Sequence, residues 1–184
     1  MNWENLFNPN RIGVTYSKEI DLQSTRSSFA KDYDRILFSA PFRKLQNKTQ
    51  VFPLTDNIFV HNRLTHSLET ASVGRTLGRE VGKAIADKGS KNPVFQYFYR
   101  NELQNVIAAA CLAHDIGNPP FGHVGESAMA EYFKNLDSNT KAELQSKLSQ
   151  PEWSEISQFE GNANGFRILT PVSYTHLRAH ETTS

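Results

Sequence analysis

A histidine and an aspartate side by side at the end of an apolar run, Leu112-Ala113-His114-Asp115, restrict this chain more than any other feature. The run continues Ile116-Gly117-Asn118-Pro119-Pro120-Phe121-Gly122-His123-Val124-Gly125-Glu126, placing a second histidine and a glutamate one helical turn apart. Adjacent imidazole and carboxylate groups fill a core badly, because each needs a polar partner once water is removed. They hold a divalent cation well. The sequence therefore predicts a helical scaffold that brings a further donor to this pair, and with it metal-dependent chemistry.

That donor is sought on the long helix that the apolar pattern predicts over residues 63–87. At about 100° per residue, Thr65, Glu69, Ser72, Thr76, Arg79, Glu80, Lys83 and Asp87 share one polar arc. Leu64, Leu68, Ala71, Val73, Leu77, Val81 and Ile85 occupy the remainder, and Arg63 and His66 fall among them. Gly74, Gly78 and Gly82 recur on one side. Each disfavours helix by about 1 kcal/mol, so the repeat predicts close approach by another helix. The second helix, residues 101–114, carries a stripe of Leu103, Val106, Ile107 and Ala110 that His114 continues. Gly117 is expected to cap it, with Pro119-Pro120 preventing its extension. If the two helices pack, His66 can join His114 and Asp115 as the third ligand. Alone, His66 would read as a hydrogen-bonded core histidine; the neighbouring pair is what gives it a role. Two imidazoles favour Mn, Fe, Co or Zn over an all-oxygen Mg cage on softness, without choosing among them.

His123 and Glu126 are spaced so that their side chains meet at the start of a third helix, residues 122–136. A carboxylate against an imidazole fixes its tautomer and raises its basicity, as a general acid or base requires. Helix capping by Glu126 is the plainer reading.

Elsewhere the pattern predicts helix over residues 29–45, interrupted at Pro41, and a loop or short hairpin over 51–60. Residues 137–150 read as helix or loop, and the stretch to Thr25 is polar and irregular. The expected class is all-α, a helical bundle with short loop or hairpin insertions. At 184 residues the chain suits one domain with a substantial core. Its formal net charge of +1 supplies no global field toward nucleic acid or membrane, so an anionic ligand must be held by local cations. Cys111 is the one cysteine, which excludes an internal disulfide and reads as a buried thiol. No apolar run approaches the roughly 20 residues of a membrane span, and the start shows no signal or transit pattern. A cytoplasmic protein is expected.

The order His66 … His114-Asp115 resembles the HD phosphohydrolase superfamily, and more narrowly the bacterial deoxyguanosinetriphosphate triphosphohydrolases (dGTPases). The resemblance rests on Phe42-Arg43-Lys44-Leu45-Gln46-Asn47-Lys48-Thr49-Gln50-Val51-Phe52-Pro53-Leu54 and His61-Asn62-Arg63-Leu64-Thr65-His66-Ser67-Leu68-Glu69. It rests also on residues 112–126 and on Phe159-Glu160-Gly161-Asn162-Ala163 with Phe166-Arg167-Ile168. It implies an HD-domain helical bundle, commonly hexameric, that splits a dNTP into deoxynucleoside and inorganic triphosphate. It makes His66, His114 and Asp115 ligands of a divalent metal ion (Mg, Mn or another transition metal), and His123 with Glu126 the acid–base pair. Gln50 and Asn162 match nucleotide-contacting positions, and Arg63 a phosphate-facing arginine.

The family's fourth metal ligand is an aspartate well beyond the Phe159–Ala163 segment, and this sequence stops before reaching it. Residues 1–170 are accordingly expected to be the N-terminal part of an HD-type dGTPase domain, with little or no turnover on their own. Residues 171–184, with His176 and His180 among polar neighbours, resemble translated adapter sequence and are expected to be a non-native tail. Two other readings stay open: another HD-type nucleotide phosphohydrolase, and a non-catalytic nucleotide-sensing module. Contact with single-stranded nucleic acid through Arg43, Lys44 and Lys48 competes with a solvated basic surface. The aromatic interleaving of a base-stacking groove is missing there.

Overall fold

The structure, a computed structural model, describes residues 3–6, 26–49 and 62–170. The expected hairpin at 51–60, Gln50 and the tail at 171–184 lie outside the described residues, as does most of the stretch before Thr25. Among the described residues there is no β-strand, only an isolated antiparallel bridge between Thr49 and Asn62, and the architecture is all-α.

Helix α1 (Ser28–Phe38) begins where the Ser27 hydroxyl accepts the Ala30 N–H at 3.1 Å. It stops at Ser39, whose side chain caps the short α2 (Ala40–Arg43) by accepting from Phe42 N. The break expected at Pro41 thus falls at Ser39. A proline in the first turn of a helix has no N–H to leave unpaired, so Pro41 sits in the first turn of α2 instead of ending α1. A 3-10 turn follows at Lys44–Asn47.

Helix α3 (Arg63–Lys88) opens with the Asn62 carboxamide accepting from Thr65 N at 2.9 Å. After a turn come α4 (Pro93–Tyr97), a π-helical turn at Phe98–Glu102, and α5 (Leu103–Ala113). The expected glycine contact is present: α3 lies directly against α5. A Cβ on Gly74 would sit 2.5 Å from Cys111 Sγ, one on Gly78 3.0 Å from the Gln104 Cα, and one on Gly82 would overlap the Tyr99 carbonyl oxygen.

The face that α3 buries differs from the expectation. Its interior stripe is Arg63, Ser67, Ala71, Gly74, Gly78, Gly82 and Ala86. Leu68, Val73, Leu77 and Val81 are exposed. Small residues let two helix axes close together, so the seam follows backbone proximity and the larger side chains flank it. The expected polar arc is exposed throughout.

One core cluster joins Phe42, Leu45, Ala71, Leu112 and Ile116, with Tyr33, Ile36, Leu37 and Ile168 packed on it. Leu112 and Ile116 bracket the His114-Asp115 pair, so this cluster is the floor under it. A second cluster of Ala86, Phe95, Phe98 and Tyr99 closes the far end of the α3–α5 seam.

Beyond the His-Asp turn lie α6 (Gly122–Lys134), α7 (Ser138–Lys147), α8 (Gln150–Ser157) and α9 (Gly161–Leu169). Each of the last three starts on a polar cap. Asp137 accepts from Asn139 and Thr140, Ser149 and Glu152 form a reciprocal capping box, and Glu160 accepts from Asn162 and Ala163. Trp153, edge-on to Phe133 with centroids 6.0 Å apart, is the buried anchor of α8. No helix of the described residues is long and apolar enough to cross a membrane.

Candidate metal centre

His66 sits one turn into α3, and His114 and Asp115 follow the last residue of α5. Packing along the glycine seam brings them together. One donor atom from each of His66, His114 and Asp115 lies within 4.8 Å of the others, and the two rings meet edge to face with centroids 5.2 Å apart. A first-row cation about 2.1 Å from each of three donors holds neighbouring donors about 3–3.6 Å apart, so the set has to contract around a bound ion.

The donor chemistry fits a cation. The His114 Nδ1 lies 2.7 Å from the Cys111 carbonyl oxygen. A carbonyl only accepts, so Nδ1 carries the proton and Nε2 keeps its lone pair. That Nε2 is 3.5 Å from Asp115 Oδ2. The two Asp115 oxygens are treated differently by the fold. Oδ1 receives an Arg63 Nη1 donor at 2.9 Å and the Asn118 carboxamide at 2.6 Å. Oδ2 is buried and accepts no hydrogen bond among the described residues. A buried carboxylate oxygen left bare costs roughly 1–3 kcal/mol or more, and a cation on Oδ2 removes that cost.

Arg63 is placed at Asp115, with its side chain 10% exposed. Its Nε has no hydrogen-bond partner among the described residues. Gly122, at φ 56°, turns the chain close over Arg63 Nη2, and a Cβ there would lie 2.6 Å from that nitrogen. The preceding Phe121 also has a positive φ, of 65°, a strained state for a bulky residue. Together these two residues aim the start of α6. Lys48 Nζ donates to the Asn118 carbonyl at 2.5 Å. Burial, together with the charges of Arg63 and Lys44, holds the Lys48 ammonium below its ordinary range, and Asp115 partly opposes this. Lys48 is thus part of the site's support, whereas Arg43 and Lys44 are exposed.

On α6, His123 Nδ1 is 3.0 Å from Glu126 Oε2. The His123 side chain is 92% exposed and that of Glu126 only 14%. The other carboxylate oxygen of Glu126 accepts the Gly161 N–H at 2.9 Å. Asn162, next along α9, is exposed and donates its carboxamide to Glu160 at 2.8 Å. Backbone hydrogen bonds from Ala163 and then Asn162 hold the Glu160 carboxyl below its ordinary range, with His123 adding a smaller effect.

Three supporting residues escaped the sequence reading. Asn118 orients Asp115, the Cys111 carbonyl orients His114, and Gly161 holds Glu126. The Asp115-x-x-Asn118 spacing before two prolines was the available signal for Asn118. Gly117 does not cap α5 through a positive φ. It lies against α9, where a Cβ would overlap Gly165 N and the Gly161 carbonyl.

The sequence model of the HD domain matches residues 63–162, from the start of α3 to the start of α9. A "Deoxyguanosinetriphosphate triphosphohydrolase-like protein" of Synechocystis sp. is 44% identical over 176 residues, covering 96% of this chain and 38% of its own length. A protein of the same description from Pseudomonas aeruginosa strain LESB58 is 42% identical, covering 95% of this chain and 37% of its own length. The "Deoxyguanosinetriphosphate triphosphohydrolase" of Yersinia pestis is 39% identical, covering 83% and 34%. The chain therefore spans little more than a third of the length of these relatives.

Proposed function

This chain belongs to the HD-domain family, and on that premise we propose that it contributes the metal-binding and acid–base groups of a dNTP triphosphohydrolase. Its substrate is dGTP or another dNTP, and the products are a deoxynucleoside and inorganic triphosphate. The observation that carries the reading is the convergence of His66, His114 and Asp115 with a bare, buried carboxylate oxygen facing the imidazole nitrogen.

His66, His114 and Asp115 hold a divalent ion, Mg, Mn or another transition metal. When bound, such an ion polarises a phosphoryl oxygen and lowers the pKa of a coordinated water. Arg63 balances the Asp115 charge, and by the family resemblance its guanidinium is the fork of donors that faces a substrate phosphate. Glu126 fixes the His123 ring, which moves a proton at the attacking water or at the departing 5′-oxygen. Gln50 and Asn162 contact the nucleotide. Assembly into a homo-oligomer, a hexamer by family resemblance, and a cytoplasmic location belong to the same proposal. So does low turnover by these 184 residues alone, because the described donor set brings only one carboxylate to the two imidazoles.

The test is product analysis after incubation with dGTP and Mn²⁺. Deoxyguanosine with inorganic triphosphate is expected, at a rate well below that of the full-length relatives. Deoxyguanosine monophosphate with pyrophosphate would instead assign a different HD phosphohydrolase reaction. Turnover matching the relatives would sink the low-activity expectation alone.

A further inference from the structure

Glu126 ties together two segments that lie 35 residues apart in sequence. One carboxylate oxygen faces His123 Nδ1 and the other accepts the Gly161 amide. The His123 ring is almost wholly solvent-exposed, so packing does not choose its rotamer. A free ring on the first turn of a helix samples several rotamers, and freezing it has an entropic cost. The carboxylate has to be fixed at its far end before it can fix the ring, and the structure provides that fixture in the backbone of α9.

We propose that Gly161 is a positioning residue for the acid–base pair, resting on the assignment of His123 as proton-transfer group made above. Its N–H anchors Glu126, and its missing Cβ admits two polar side chains at once. A Cβ there would lie 2.6 Å from Glu126 Oε1 and would overlap Asn118 Oδ1. Asn118 is the residue that donates to Asp115 at 2.6 Å. Gly161 therefore touches the support of the metal-binding carboxylate and the support of the His123 ring together, and sets one against the other. The start of α9 is locked in this place by Asn164, which donates to the Gly117 carbonyl at 2.9 Å. In this account the Phe159–Ala163 segment serves the chemistry through a backbone amide, independently of any contact Asn162 makes.

The arrangement prescribes a proton position. A carboxylate only accepts, so the His123 proton sits on Nδ1, opposite to the Nε2–H tautomer that a free exposed ring favours. Imidazole ¹H–¹⁵N correlation spectra of the metal-free chain in alkaline buffer read this directly. Wild type is expected to show Nδ1–H for His123, and Gly161→Ala to revert to Nε2–H. Asn118→Ala, which leaves the Glu126 contact in place, is expected to keep Nδ1–H. If Gly161→Ala does not fold, Glu126→Gln still tests the Glu126–His123 contact that the proposal requires. Its carboxamide can still accept from Gly161, and it donates to the ring, so the proton moves to Nε2. A wild-type Nε2–H ring, or Nδ1–H persisting in Gly161→Ala or Glu126→Gln, overturns the proposal. Mn²⁺ binding is a separate readout. A chain with the expected tautomers but no Mn²⁺ binding would contradict the functional reading and leave the role of Gly161 standing.

Discussion

His114 and His123 flank one loop, and the fold holds their rings by different means. His114 is steered by a carbonyl of its own helix, and its neighbour Asp115 is paired with Arg63 inside the protein. Beneath them lies the glycine seam of α3 and α5, where main chains are nearly in contact. His123 stands in solvent and is steered by a carboxylate that is itself held by one amide of α9. The helices on that side, α7 to α9, start on hydrogen-bonded caps and bury few side chains completely. Cation donors must converge to within tenths of an ångström, which close packing secures. The proton-transfer role proposed for His123 requires a ring that faces solvent and substrate, which leaves polar tethers as the means of aiming it. Damage to the first region should therefore appear as lost stability, and damage to the second as lost alignment.

The largest effect on stability is expected for Asp115→Ala. It strands the Arg63 charge inside the protein and should destabilise by about 3–5 kcal/mol, with loss of bound Mn²⁺. Urea unfolding and elemental analysis measure the two effects, and a variant as stable as wild type would break the contrast. Next comes Gly82→Ala, whose added methyl meets the Tyr99 backbone and should cost about 1–3 kcal/mol. Leu77→Ser, on the exposed flank of the same helix, should stay within about 0.5 kcal/mol. Equal effects of these two substitutions would mean that the seam runs along the larger side chains after all.

Acidification should separate the regions more gently. Hydrogen bonds from Thr140 to Asp137, from Ser149 to Glu152, and from Ala163 and Asn162 to Glu160 hold these carboxyls below their ordinary range. A lowered folded-state pKa contributes stability that is fully present above the ordinary carboxylate range and is lost as pH falls through the folded values. Backbone chemical shifts of α7–α9 should therefore lose helical character on titration from about pH 7 to about pH 3, an effect that Asp137→Asn and Glu160→Gln reduce. A pH-independent response of these helices would contradict the capping account. The smallest structural effect is expected for His123→Ala, with stability within about 0.5 kcal/mol and Mn²⁺ binding unchanged. Any dGTP turnover should nonetheless fall by about 10²–10⁴.

The sequence carried the helical class, the glycine contact and the candidate donors, because each leaves a local mark: periodicity, a four-residue glycine repeat, an adjacent His-Asp pair. It misled on the buried face of α3, since hydrophobicity ranks Leu77 above Gly78 whereas axis separation ranks them the other way. It left α8 and α9 unread, because short, weakly apolar helices resting on caps give little periodic signal. Gly161 was visible only as part of a resembling segment. Its contact with Glu126 is a backbone bond between remote segments, and no side-chain pattern encodes such a bond. The Cys111 carbonyl is equally silent until the turn at His114 is built, whereas Asn118 left a mark in its spacing from Asp115 before two prolines.

Crystals soaked in Mn²⁺ and measured for anomalous scattering examine the central claim most directly. A single strong peak within bonding reach of the His66 and His114 imidazoles and Asp115 Oδ2 is the result this account predicts. A peak elsewhere, or none at saturating Mn²⁺ with all three side chains ordered, would contradict it.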